Sequence, residues 1–157
     1  MLHEAPKAGP NFSQINPSSC ANARIRKLHR MLNQAYMQAY KPFGLRGSMV
    51  SILFIIGKRS PINQKELSDM LMLDPSTMSR DLKKLNKEKT LIEIRKGEDP
   101  RHSVLSLTQE GFDLLEEISP IWKSLHQQVE RILGDFQLQQ IDSITEAIRS
   151  NLPLKPD

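Results

Sequence analysis

The stretch "DPSTMSRDLKKLNKE", residues 74–88, gathers Ser76, Thr77, Ser79 and Arg80 and sets Lys83, Lys84 and Lys87 behind them. None of these side chains makes a hydrolytic or redox centre by itself. On the outer surface of a helix, however, they suit non-covalent reading of a DNA duplex. Small hydroxyls let a helix come close to base edges, an arginine pairs bidentately with guanine, and lysines neutralise phosphates. A second stretch, "IRKGEDPRHSVLSLT", residues 94–108, places Arg101 and His102 at the tip of a hairpin. An arginine on such a tip is drawn to the negative potential of a minor groove, and His102 can contact a neighbouring phosphate. Asp99 can hold the guanidinium or tie the loop, and Pro100 stiffens the turn between them. The competing reading is a solubilising turn whose charges meet only water.

Catalytic constellations do not emerge. There is no "GxSxG" elbow, no "HExxH", and no phosphate-cradling loop among seven glycines. One cysteine and four scattered histidines build no zinc spacing, so neither metal nor cofactor is implied and an enzyme is not expected. Cys20 also excludes an intramolecular disulfide framework, which points to a reducing compartment. It stands near a helix start and close to Arg24, so the choice is between a reactive thiol and an ordinary buried one. No apolar run approaches the roughly 18 residues of a membrane span, and "MLHEAPKAGPNFSQINPSS" lacks the apolar centre of a signal peptide. These features predict a cytoplasmic chain with no membrane partner, whose residues 1–19 form a disordered tail.

The net charge of +4 is modest, and its distribution says more. Residues 1–60 hold nine basic and one acidic side chains, residues 61–101 nine and eight, and residues 102–157 four and nine. The opposite sign of the two ends suggests that the first and last helices lie against each other, the alternative being unrelated solvated faces.

The elements that must position these residues follow from periodicity. Ala21, Ile25, Leu28, Leu32, Ala35 and Ala39 form a helical stripe of nearly coiled-coil period, ended by Pro42 and Gly44. A second helix is predicted over 46–58, with Met49, Val50, Leu53, Phe54 and Ile56 inside and Gly57 as its C-cap. "NQKE" reads as a capping box, with Asn63 as N-cap and Glu66 reaching back, opening a short helix over 64–72. Asp74 caps the next helix and Pro75 fills its first turn, while Met78, Leu82 and Leu85 face inward. "LIEIRK" and "SVLSLT" alternate, with Ile92, Ile94, Leu105 and Leu107 on the inner face of a hairpin. Thr108 caps a long helix in which Pro120 predicts a kink or break, and a final helix spans about 136–151.

Short helix, tight turn, polar-faced helix and hairpin in succession is the plan of a winged helix-turn-helix. The fold expected is mainly α with a small β-hairpin wing. Residues 46–108 would make the DNA-binding unit, and 20–45 with 109–152 a helical dimerisation region.

At this point the chain resembles the MarR transcriptional regulators, from Cys20 to about Leu152. The likeness is carried by "NQKELSDMLMLDPSTMSRDLKKL", the wing "DPRHSVLSLTQEG" and "YKPFGLRGSMVSIL". It implies a homodimer whose terminal helices interlock and whose two lobes read a pseudo-palindromic double-stranded operator, most simply as an effector-responsive repressor. Residue by residue, it implies that Ser76, Thr77, Ser79 and Arg80, with Lys83 on the same surface, contact DNA. Asn63 and Gln64 would touch it at the preceding helix's start, and Asp99 and Arg101 form the wing pair. Met72 and Met78 depart from the small or branched residues of many relatives.

In the same family, a small-molecule effector enters a cleft between dimer body and DNA lobe, for which Tyr36, Tyr40, Phe43, Met49 and Leu53 are the candidates. In one branch, an N-terminal cysteine partnered by tyrosines senses an oxidant, which makes Cys20 a candidate sensor with Tyr36 and Tyr40 on its helix. Two other classes stay open: a winged helix that contacts a partner protein, and a thiol enzyme that consumes peroxide at Cys20.

Overall fold

The computed structural model describes residues 9–97 and 103–152, so Asp99, Arg101 and His102 lie outside the described residues. Its helices are α1 (Pro10–Ser13), α2 (Ala21–Tyr40), α3 (Gly47–Arg59), α4 (Gln64–Leu71), α5 (Pro75–Lys83) and α6 (Gln109–Asn151). Three strands complete it: β1 (Ile62–Asn63), β2 (Ile92–Lys96) and β3 (Ser103–Leu107).

Local chemistry explains most boundaries. α2 stops where Pro42 and Gly44 follow, and Gly44 takes the left-handed conformation at φ 63°. Asp74 caps α5 through the Thr77 amide at 2.8 Å, with Pro75 in the first turn. Asn63 caps α4 by accepting from the Lys65 amide at 2.7 Å. The expected capping box is only half made, because Glu66 turns instead to Arg59, 3.5 Å away. The C-cap expected at Gly57 is also displaced: α3 continues to Arg59. Gly57 lets Leu115 and Leu107 pack against the helix, since a Cβ there would lie 2.8 Å from Leu115 Cδ1.

The wing contains one strand more than expected. The sheet order is β1-β3-β2, all antiparallel, with Leu105 of β3 opposite Ile62 on one side and Ile94 on the other. Two-residue β1 joins the start of α4 to the wing and fixes their relative position. Ile92, Leu105 and Leu107 are buried as the alternation predicts, but Ile94 is exposed: it lies on edge strand β2, opposite Leu105 of the central strand, which is fully buried.

α6 corrects another expectation. The helix passes through Pro120 and breaks its backbone geometry at Gly134 instead, where φ 75° and ψ 162° are accessible chiefly to glycine. After α5 the chain takes one wider π turn, Lys84–Glu88, before β2. Within the stretch read as a disordered tail, residues 10–19 form two short helical turns with every residue exposed.

One core unites the lobe: Ile52, Leu53 and Ile56 of α3 meet Leu67, Met78, Leu85, Ile92 and Leu105, with Leu115 and Ile118 of α6 closing it. Outside it, Ile25, Leu28 and Met31 of α2 and Ile132, Phe136, Ile141 and Ile144 of α6 are exposed. Among the described residues no helix is long and apolar enough to cross a membrane.

Candidate nucleic-acid interface

α5 is held with its polar side outward. Met78 and Leu82 are buried, while Ser76, Ser79, Arg80 and Lys83 are exposed and Thr77 is half-buried. The Asp74 carboxylate accepts from the Ser76 hydroxyl at 2.6 Å as well as from the Thr77 amide. These hydrogen bonds, Ser76 first, hold its carboxyl well below the usual aspartate range, so the cap stays ionised. Arg80 Nη2 donates to Thr77 Oγ1 at 3.3 Å, which steadies the guanidinium along the helix. Ser76 and Thr77 are therefore partly committed to organising the helix start, whereas Ser79 and Lys83 are exposed on the same outer surface.

Gln64 and Lys65 of α4, Pro75 and Met78 of α5, and Ser103 of β3 line a shallow cleft of about 480 Å³. The starts of both helices and of the wing strand thus lie side by side, and Gln64 lines the same space as Pro75 and Met78 of α5. Asn63 is half-buried, with Oδ1 spent on the α4 cap.

A residue that periodicity had passed over anchors this arrangement. Asp81 is fully buried, and its carboxylate accepts from Arg46 Nη2 at 2.6 Å and from Ser48 Oγ at 2.5 Å. A buried carboxylate persists only when paired and hydrogen-bonded, and both partners come from the start of α3. The signal was present: Asp81 lies three after Met78 and four before Leu85, on the apolar stripe.

A second cavity, about 890 Å³, opens between α2, α3 and α6. Tyr36 and Tyr40 line it as expected, but Phe43, Met49 and Leu53 do not. Met49 and Leu53 are fully buried core and Phe43 packs against that core, so the neighbouring face of α3 supplies the walls: Ser48, Ser51, Phe54 and Ile55, with Trp122 opposite. Burial, with Tyr36 as a lesser cause, pushes the Tyr40 hydroxyl up to about 12. Burial and then Glu130 of α6 raise that of Tyr36. Both are protonated donors at neutral pH, and the buried Tyr40 hydroxyl has no hydrogen-bond partner among the described residues.

Cys20 is the N-cap residue of α2 and is exposed within the protomer, so of the two readings the buried thiol is not what this fold presents. Tyr36 stands sixteen positions along the same helix, a rise of about 24 Å. Within one protomer the tyrosines cannot partner this thiol.

Known proteins share this arrangement. Residues 48–102 match the model of the MarR family. The HTH-type transcriptional regulator SarZ of Staphylococcus saprophyticus is 30% identical over 109 residues, which cover 69% of this chain and 70% of SarZ. The uncharacterized HTH-type transcriptional regulator YwoH of Bacillus subtilis is 29% identical over 126 residues, 80% of this chain and 89% of its own. Among solved structures, the Mycobacterium tuberculosis transcriptional regulator MOSR in complex with DNA superposes with TM-score 0.74 at 26% identity, covering 85% of this chain and 100% of that one. With the helix-turn-helix, the wing and the polar face of α5 in place, the chain belongs to the MarR family of DNA-binding transcriptional regulators, which are not enzymes.

Proposed function

We propose that this protein is a cytoplasmic homodimeric repressor that binds a pseudo-palindromic DNA duplex and is released by a small-molecule effector. Each protomer offers α5 to a major groove and the wing, with Arg101 at its tip, to the adjacent minor groove. Ser79, Arg80 and Lys83 contact bases or phosphates from α5, and Gln64 contributes from α4.

The observation that carries this reading is the separation of two kinds of surface. A polar, basic face on α5 is held by a packed lobe, while the terminal helices leave Ile25, Leu28, Met31, Phe136, Ile141 and Ile144 uncovered. Large apolar side chains left uncovered along two helices suit an interface with another chain. A second copy of the chain covers them and sets two recognition helices at a fixed spacing, which is the physical basis of half-site symmetry. α5 presents no aromatic side chain. That composition favours DNA over the partner-protein reading, because protein interfaces are enriched in aromatics.

The cleft beside Tyr40 is the natural effector site, with apolar walls and a few protonated hydroxyls. The test combines selection of bound fragments from genomic DNA with sedimentation. The intact protein should select a two-fold-related sequence and sediment as a dimer, whereas deletion of residues 136–157 should leave a monomer that binds weakly. A truncated protein that still forms a stable folded dimer would refute the assignment of the interface.

A further inference from the structure

We propose that Asp81 is the positioning residue of the recognition helix, and that Ser48, shared between Asp81 and the cleft, is where an occupant of the cleft acts on α5. The inference rests on the reading of that cleft as an effector site and adds the route by which it reaches DNA.

Asp81 is the only charged side chain among the buried residues described, and it sits on the face of α5 opposite the DNA-facing side. Rotating or sliding α5 would pull its carboxylate from Arg46 and Ser48 and leave a charge buried without partners. The pair of bonds, 2.6 and 2.5 Å long, therefore fixes where Ser79 and Arg80 point. Neither partner belongs to the helix-turn-helix itself, since Arg46 caps α3 and Ser48 lies in its first turn.

Ser48 has a second neighbour, because it lines the large cleft together with Gly47, Ser51 and Tyr40. A serine hydroxyl carries one proton and can donate it to one acceptor at a time. An occupant whose acceptor takes that proton removes it from Asp81. Arg46 provides for the rearrangement, because its Nε is buried without a partner among the described residues. The two states of the link are Ser48 on Asp81 with α5 held, and Ser48 on the occupant with α5 freed to turn.

Coupling between two sites is reciprocal, so duplex binding at α5 must alter the cleft. Trp122 reports this without any effector. It is the only tryptophan in the chain, lines the cleft, and has its ring 5.8 Å from Phe54 and 4.4 Å from His126. The experiment titrates the full-length protein with a duplex selected from genomic DNA, following Trp122 emission and, separately, affinity for selected and scrambled duplexes.

The wild type should change emission on saturation. Ser48→Ala should bind the selected duplex about tenfold more weakly, the effect of losing one hydrogen bond to a charged group, and at saturation its emission should stay unchanged. Asp81→Leu should lose preference for the selected duplex under conditions where circular dichroism shows it folded, and should unfold at a lower denaturant concentration, because removing one partner of a buried ion pair is destabilising. Asp81→Asn should restore that preference, its amide oxygen still accepting from Arg46. An emission change equal in Ser48→Ala and wild type, no change in wild type, or wild-type selectivity in Asp81→Leu would overturn the proposal. Failure of the effector reading shows separately, as compounds that enter the cleft, perturb Trp122 and leave DNA binding unaltered.

Discussion

Gly111 is where α6 presses hardest on the winged helix-turn-helix lobe, and replacing it with alanine should be costly. A Cβ at this position would lie 2.2 Å from the Leu91 carbonyl oxygen and 3.1 Å from Leu107 Cδ2. The carbonyl cannot simply retreat, since it accepts from the Thr108 amide at 3.1 Å while the Leu91 amide donates to Leu85 at 2.9 Å. Overpacking against a fixed backbone belongs at the upper end of the range for such changes, about 3 kcal/mol. Loss of the Thr108 bond adds about 1 kcal/mol, and alanine's better helix propensity returns about 1 kcal/mol. The net destabilisation is about 3 kcal/mol. With a urea m-value of about 2 kcal/mol/M, the midpoint should fall by roughly 1.5 M. Urea unfolding monitored by circular dichroism at one fixed protein concentration measures it, because the midpoint of the proposed dimer would depend on concentration. Gly9→Ala, whose Cβ would meet nothing within 4 Å, serves as the control and should leave the midpoint unchanged. If Gly111→Ala unfolds within 0.3 M of wild type, on the order of the precision of such midpoints, the close approach of α6 to the wing is not as described.

Arg80→Ala should cost roughly 1–3 kcal/mol and relax preference at one symmetric pair of operator positions, whereas Arg101→Ala should weaken selected and scrambled duplexes alike and flatten the salt dependence. Binding to both duplexes over a salt series separates them, and unchanged binding by the Arg101 variant would reduce the hairpin tip to a solvated turn. Tyr40→Phe should leave thermal stability equal or slightly raised, since it removes a buried hydroxyl that has no partner. A marked loss of stability would reveal a hydrogen bond the structure lacks. Asp74→Ala should lower stability by the same amount at pH 5 and pH 8. Because the folded carboxyl lies below its unfolded value, its contribution is complete above about pH 4 and is lost only as pH falls through the depressed value. A difference between variant and wild type that shrinks near neutral pH would contradict that sign.

The sequence alone determined what depends on neighbours along the chain. Asp74 and Asn63 cap their helices, Pro42 and Gly44 end α2, and Met78, Leu82 and Leu85 turn inward, because caps and periodicity act over four residues or fewer. The outward set Ser76, Ser79, Arg80 and Lys83 follows from the same periodicity. Tertiary structure alone decided features set by partners distant in sequence. Asp81 sits on the apolar stripe, but the partners that let a carboxylate be buried there, Arg46 35 residues away and Ser48 33 away, are set only by the packing of α3 on α5. β1 is two residues of no evident strand pattern until Leu105 pairs with Ile62. Met49 and Leu53 could not be told from cleft residues such as Val50 and Phe54, because the helical stripe is wider than its buried half and only the packing of α6 fixes which edge stays open. Likewise, Pro120 carries the stronger local signal for a break, yet the chain turns at Gly134, because the helix around Pro120 is anchored on the core by Leu115 and Ile118 and the stretch around Gly134 is not.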